Sequence, residues 1–219
     1  MENLNEQLAV MEENLKTVIP LEAYRLLQQS LENLQQSGVA NGLQVGDQAP
    51  DFTLKNALGS EINFYQALNN GPVILSFYRG GWCPYCNLQL RALQAILPRF
   101  RELGANLIAV SPQSPDNTIG QQEKERFGFS VLSDNNGHVA SQFHVLYEVP
   151  EAEKNVLQGF GRNLLEYNAT NRWILPVPST FVIDSRAVIR FAHANSNFMR
   201  RVEPEIILQV LRGVLKDGE

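Results

Sequence analysis

Two cysteines, Cys83 and Cys86, are the only ones in the 219-residue chain, and two residues separate them. A thiolate at one position can take an oxygen from an oxidant or a sulfur from a disulfide, and the other thiol can then close a Cys83–Cys86 disulfide. Trp82 stands directly before the pair, and Pro84 and Tyr85 fill the gap. A zinc half-site is the weaker reading. Structural zinc takes four protein ligands, and His138, His144 and His193 are scattered singly with no second cysteine pair. Arg79 has two readings: a solvated loop residue, or a cation that lowers a thiol pKa or orients an oxidant. Arg172 is a weaker candidate of the same kind.

These residues need a scaffold, and the neighbouring sequence supplies one. Val73 to Tyr78 is an apolar run of strand type. Gly80-Gly81 is a turn, and Leu88, Leu90, Leu93, Ile96 and Leu97 then recur at helical spacing. The cysteines therefore fall where a buried strand ends and a helix begins, beside free amide groups and the positive end of the helix dipole. Cys83 is expected at the helix start with its sulfur toward solvent. Cys86 lies almost one turn further in and is expected to be more shielded. On that placement Cys83 carries the lower pKa and reacts first, and Cys86 resolves.

Composition bounds the classes. A net charge of −5 without a Lys/Arg run gives no reason to expect nucleic acid, and 44% hydrophobic residues suffice for a normal core. No apolar segment has membrane-spanning length, so no membrane partner is expected. Met1 to Val18 is acidic and lacks the basic head of a secretory signal, which points to the cytoplasm, where a close cysteine pair is more often catalytic than structural. No cofactor beyond the cysteines is called for.

Along the chain, residues 1–42 read as a helical extension and 43–219 as the main domain. Leu4, Leu8, Met11, Leu15 and Val18 form one stripe. Pro20 opens a second helix with Tyr24, Leu27, Leu31 and Leu34 on one face. The stripes must be covered, either by the chain's own domain or by a partner such as a second copy in a homodimer. Phe52/Leu54 and Ile62/Phe64 suggest a hairpin. Ala105–Val110 and Val131-Leu132 are strands, Ser111–Pro115 a loop, Ile119–Phe127 a helix, and 151–170 a polar helical insertion. Ser179–Ile183 and Ala187–Ala192 form a late hairpin before a last helix from Pro204. Strand–helix alternation followed by a hairpin is an α/β fold with a mixed sheet.

With these residues in hand, a resemblance can be stated. Trp82-Cys83-Pro84-Tyr85-Cys86 after an apolar strand resembles the thioredoxin-superfamily active site, with the Pro-Tyr pair of glutaredoxins. Gly46-Asp47-Gln48-Ala49-Pro50-Asp51-Phe52-Thr53-Leu54 resembles the opening of the peroxiredoxin branch, the alkyl hydroperoxide reductase/thiol-specific antioxidant (redoxin) family. Phe77-Tyr78 through Cys86 is similar to the loop of the bacterioferritin-comigratory peroxiredoxins. The resemblance implies a thioredoxin-like mixed sheet flanked by helices, preceded by the N-terminal helical hairpin. Against the peroxiredoxin pattern Pro-x-x-x-Thr-x-x-Cys, the proline position holds Arg79, the threonine position Cys83, and the peroxidatic position Cys86. The late-strand arginine of that family falls at Pro178, where thioredoxins have a cis proline beside the disulfide. A cis Pro178 near the cysteines, with Trp82 as a lid, is the expectation this raises.

Three functions follow. The first is a thiol peroxidase that reduces hydroperoxides through a Cys83–Cys86 cycle and is regenerated by thioredoxin or glutathione. The second is an oxidoreductase for protein or glutathione disulfides. The third is a redox-sensing interaction protein that signals through its N-terminal helices.

Overall fold

The computed structural model describes residues 3–168 and 170–216. Its frame is a seven-stranded sheet. β1 (Thr53–Asn56) and β2 (Glu61–Asn63) form the early hairpin. β3 (Val73–Phe77), β4 (Asn106–Ser111) and β5 (Ser130–Ser133) run parallel. β8 (Ser179–Ile183) and β9 (Ile189–Ala194) form the late hairpin. The order is β2-β1-β5-β4-β3-β8-β9, with β8 antiparallel to β3, so the strand that leads to the cysteines is interior.

Every residue of β3 is buried, and its side chains alternate between two cores. Ile74 packs on one side with Leu107, Ala109 and Val182, against α4 (Pro84–Glu102) and α9 (Pro204–Lys216). Val73, Leu75 and Phe77 pack on the other side with Ile108, Val110 and Phe181, against α3 (Phe64–Leu68) and α6 (His138–Gln142).

The N-terminal stripes are covered by the chain itself. α1 (Leu4–Val18) lies on α4, and α2 (Leu21–Gln36) lies on α7 (Glu151–Gly159). Leu4, Leu8, Leu27 and Leu31 join the core that holds both cysteines. Each such leucine is worth about 1.5–3 kcal/mol of burial, enough together to hold the hairpin in place. Val18, the last residue of the first stripe, stays 65% exposed.

Two stretches depart from expectation. Ser111–Pro115 is not all loop, because α5 (Pro115–Glu125) starts at Pro115. Proline suits a first helical position, and Ser114 accepts from the Asn117 and Thr118 amides. The flanks of the insertion also pair: β6 (Leu146–Glu148) and β7 (Ile174–Pro176) make a small antiparallel sheet around α7 and α8 (Leu164–Tyr167). Residue pairs so far apart leave no local periodic signal, and Pro176 masks the strand.

The Val177–Pro178 peptide is trans, since the structure holds no cis peptide bond among the described residues. The expectation of a cis proline is therefore wrong. β7 ends at Pro176 and β8 begins at Ser179, so Pro178 joins two extended runs without a reversal, and an extended path accepts the ordinary trans isomer. Pro178 is buried next to the Phe77–Ser179 register pair, at the end of the sheet from which the cysteine loop emerges.

Candidate active site

The loop from Arg79 to Trp82 is held by backbone demands. Gly80 has φ +143°, and a Cβ there would meet the Trp82 indole nitrogen at 2.5 Å, so the indole folds back over a position only glycine can fill. The Gly81 amide donates to Gln113 Oε1 at 2.6 Å, and Asn87 Nδ2 donates to the Gly81 carbonyl at 2.7 Å. Cys83 is the N-cap of α4, with φ −90° and ψ 113°. Its carbonyl accepts from the Cys86 and Asn87 amides, and Pro84 starts the helix.

Both thiols are free and buried, Cys83 at 1% exposure and Cys86 at none. The expected solvent-facing Cys83 is corrected by the structure: the N-terminal hairpin and α7 cover it. The expected order of acidity is also reversed. Burial alone would push the Cys86 thiol up. The hydrogen bond from Cys83, the Arg201 charge, the Arg79 backbone amide and the Arg79 charge outweigh it and bring Cys86 down to about 5. Cys83 moves well above the usual thiol range, because burial and the neighbouring Cys86 sulfur both disfavour its ionised form. Of the two sulfurs, Cys86 is therefore the more readily ionised.

Arg201 is the group that sequence reasoning missed. Its Nη2 lies 3.4 Å from Cys86 Sγ, its Nε donates to Gln89 Oε1 at 2.6 Å, and its Nη1 donates to the Arg200 carbonyl at 2.7 Å. Gln89 in turn donates to Thr180 Oγ1. Arg201 is 4% exposed, and those partners are neutral apart from the sulfur. A buried guanidinium needs an anion, and the Cys86 thiolate is the one placed to supply it. The peroxiredoxin pattern expects an arginine at Pro178; here the cation comes from the segment before α9. Only a contact spanning 115 residues could have revealed it.

Arg79 is a site residue and not a solvated loop cation. It pairs with Glu153 at 2.5 Å, both side chains 2% exposed, and the Tyr147 hydroxyl bonds both Glu153 oxygens at 3.1 Å. Burial opposes the Arg79 charge, and Glu153 more than compensates. The guanidinium lies over Phe198 at 4.1 Å and Trp82 at 5.1 Å. Trp82 flanks Cys83 and lines two cavities; Tyr85 packs edge-on against Phe198. Arg172 lies away from this centre, in an exposed pair with Glu148.

Two free thiols at the start of a helix that follows an interior strand form a candidate dithiol centre on a thioredoxin-like sheet. The AhpC/TSA family signature matches residues 45–192, and the chain belongs to that family. It is 30% identical over 105 residues to Peroxiredoxin Bcp of Escherichia coli (strain K12), a match covering 48% of this chain and 67% of that protein. To the putative peroxiredoxin bcp of Helicobacter pylori (strain J99) it is 29% identical over 150 residues, or 67% of this chain and 85% of that one. The fold resembles the crystal structure of peroxidoxin BcpB from Mycobacterium tuberculosis, with a TM-score of 0.62 and 23% identity over 78% of this chain and 98% of that one.

Proposed function

We propose that the chain is a thiol peroxidase in which Cys86 takes the peroxide oxygen and Cys83 resolves. The observation that carries the reading is the Cys86 sulfur held between Arg201 and the Cys83 thiol. The Cys86 thiolate attacks the terminal oxygen of a hydroperoxide. The O–O bond breaks, Cys86 becomes a sulfenic acid, and the departing alkoxide takes the Cys83 proton to leave as an alcohol. The Cys83 thiolate so formed attacks the sulfenic sulfur, the disulfide closes, and hydroxide leaves to be protonated from solvent. An external dithiol such as thioredoxin, or two glutathiones, returns two electrons by exchange.

In this reading residues 1–42 form an arm on a redox unit spanning 43–219. The chain works in the cytoplasm as an antioxidant enzyme, and a homodimer is compatible with it. Among the described residues no helix is long and apolar enough to cross a membrane. The trans Pro178 removes one feature expected of a disulfide reductase and favours the peroxidase.

The test is hydroperoxide consumption by wild type, Cys83→Ser and Cys86→Ser, with thioredoxin and with glutathione as donor. Cys83→Ser should give one fast reaction and then stall, and Cys86→Ser should give none. The opposite pattern would return the attacking role to Cys83. Turnover of a model protein disulfide without any peroxide reaction would favour the reductase.

A further inference from the structure

Reduction of the oxidised centre needs an external thiolate to reach one of the two sulfurs, and the fold places them differently. Cys83 lines a chamber of about 340 Å³, and Cys86 does not line it. Met11 and Leu15 of α1, Leu27 of α2, and Val156 and Phe160 of α7 make the sides. α1 and α2 lie outside the matched family segment, so the chain adds part of this wall from its own N-terminal helices. A folded donor must displace that hairpin to touch Cys83, which is 1% exposed; a small molecule need not.

The leaving group points the same way. Thiol–disulfide exchange is faster when the departing sulfur is the more acidic one. Cys86, with Arg201 Nη2 at 3.4 Å, is that sulfur, so attack on Cys83 is the productive direction. The chamber also specifies the attacker. Its walls are largely apolar, yet Arg79 and Tyr85 line it beside Cys83, and the Arg79 Nε and the Tyr85 hydroxyl are buried without a hydrogen-bond partner among the described residues. Buried donors normally have an acceptor. Arg79 already has Glu153 as its counter-ion, so the missing acceptor is an uncharged oxygen and not a carboxylate. A monothiol would stay on Cys83 as a mixed disulfide and fill the chamber against the second thiol that must release it; a dithiol carries its own.

We infer that this chamber is the docking site of the reductant, a small apolar dithiol with an uncharged oxygen head, which reduces the Cys83–Cys86 disulfide by attack on Cys83. The inference rests on the disulfide cycle of the peroxidase reading and names its donor. One ligand thiol gives its proton to solvent and its sulfur attacks Cys83. The Cys83–Cys86 bond breaks, and its electron pair leaves on Cys86 beside Arg201. The ligand's second thiolate then attacks the ligand sulfur of the mixed disulfide. Cys83 departs and takes up a proton, and the ligand leaves as a cyclic disulfide, two electrons poorer. A volume at the lower end of ligand cavities fits a short alkyl body with one amide or carbonyl group.

The experiment takes the full chain, oxidised with diamide, and follows its reduction by alkylation and peptide mass. Dihydrolipoamide is the probe, and dithiothreitol, a dithiol without the alkyl body, is the reference. The rate should saturate with dihydrolipoamide and stay linear with dithiothreitol. At low concentration dihydrolipoamide should be faster by about 10- to 100-fold, as burial of about two or three methylene equivalents predicts. Val156→Trp and Leu15→Phe, which fill the chamber from α7 and from α1, should each lower the ratio of the two rates about tenfold. Dihydrolipoamide no faster than dithiothreitol, an unchanged ratio in both folded variants, or faster reduction by thioredoxin at equal concentration would overturn the inference while leaving the peroxidase reading intact. If hydroperoxides fail to oxidise the thiols while the dihydrolipoamide reaction is fast and saturable, the peroxidase reading falls and the donor site stands.

Discussion

Cys83 and Cys86 lie on the same helical turn, yet their environments push their protonation in opposite directions. Helix-start geometry alone favours Cys83 as the thiolate, and that argument fails because it weighs a partial dipole charge against a whole guanidinium. Arg201 reaches Cys86, and Cys83, as N-cap, is left to donate its proton to the other sulfur. Thiolate absorbance near 240 nm should therefore appear in the reduced protein with a midpoint of about 5. The transition should vanish in Cys86→Ser and persist in Cys83→Ser at a higher midpoint, since a hydrogen bond to the sulfur is lost or weakened. Arg201→Met should raise the midpoint by about 1–3 units, and Arg201→Lys by less, because the charge remains. The reaction of Arg201→Met with peroxide should accordingly slow more at pH 6 than at pH 8; a uniform loss at both would assign Arg201 a merely structural part. The buried Arg79–Glu153 pair has a different signature. Glu153→Ala leaves a buried cation without its anion and should cost about 3–5 kcal/mol in urea unfolding.

At the scale of elements, the segment before α9 ties the site to the arm. Glu203 accepts from the Leu4 and Asn5 amides at 3.1 and 2.7 Å, at the start of α1. Arg200 pairs with Glu12 at 3.0 Å, while the next residue, Arg201, holds Cys86. One short stretch thus docks the hairpin that covers Cys83 and charges the sulfur beneath it. Glu203→Ala removes the anion at the α1 N-terminus and should destabilise the fold by about 1 kcal/mol. Alkylation of Cys83, followed by peptide mass, should speed up about fivefold as the hairpin loosens, on the scale of that free-energy loss. An unchanged alkylation rate together with lowered stability would show that the hairpin does not gate Cys83. The sequence made the strand, the Gly80-Gly81 turn, the helix and both arm helices legible, because each carries its own local period or turn chemistry. It hid what the arm and the insertion cover. Leu8 and Leu27 announce that they will be buried, but not that Cys83 lies beneath them. Arg201, Glu153 and Tyr147 meet the site only through tertiary contacts, and nothing in their local sequence marks them.

The whole molecule feels the thiolate through its stability. The Cys86 sulfur ionises near 5 in the folded chain and near its ordinary 9.0 once unfolded. Above about pH 9 the sulfur is charged in both states, and the folded chain holds the full advantage of its Arg201 contact. As pH falls from about 9 toward 5 the unfolded chain binds the proton first, and the advantage shrinks by about 1.4 kcal/mol per unit. Below pH 5 both states are protonated and nothing remains. Other groups also titrate in this window, so the informative quantity is the difference between reduced wild type and reduced Cys86→Ser. Cys83 does not confuse it below pH 8.5, because its thiol is pushed up and not down. Urea unfolding of both proteins at pH 5.5, 7.0 and 8.5, under a phosphine reductant, should show the wild-type advantage growing by a few kcal/mol across the series. Oxidation to the Cys83–Cys86 disulfide removes the thiolate, and the oxidised wild type should lose this slope relative to the variant. Parallel pH dependences for reduced wild type and Cys86→Ser would mean that the Cys86 thiol is not depressed in the folded state, and the assignment of Cys86 as the attacking sulfur would fall with it.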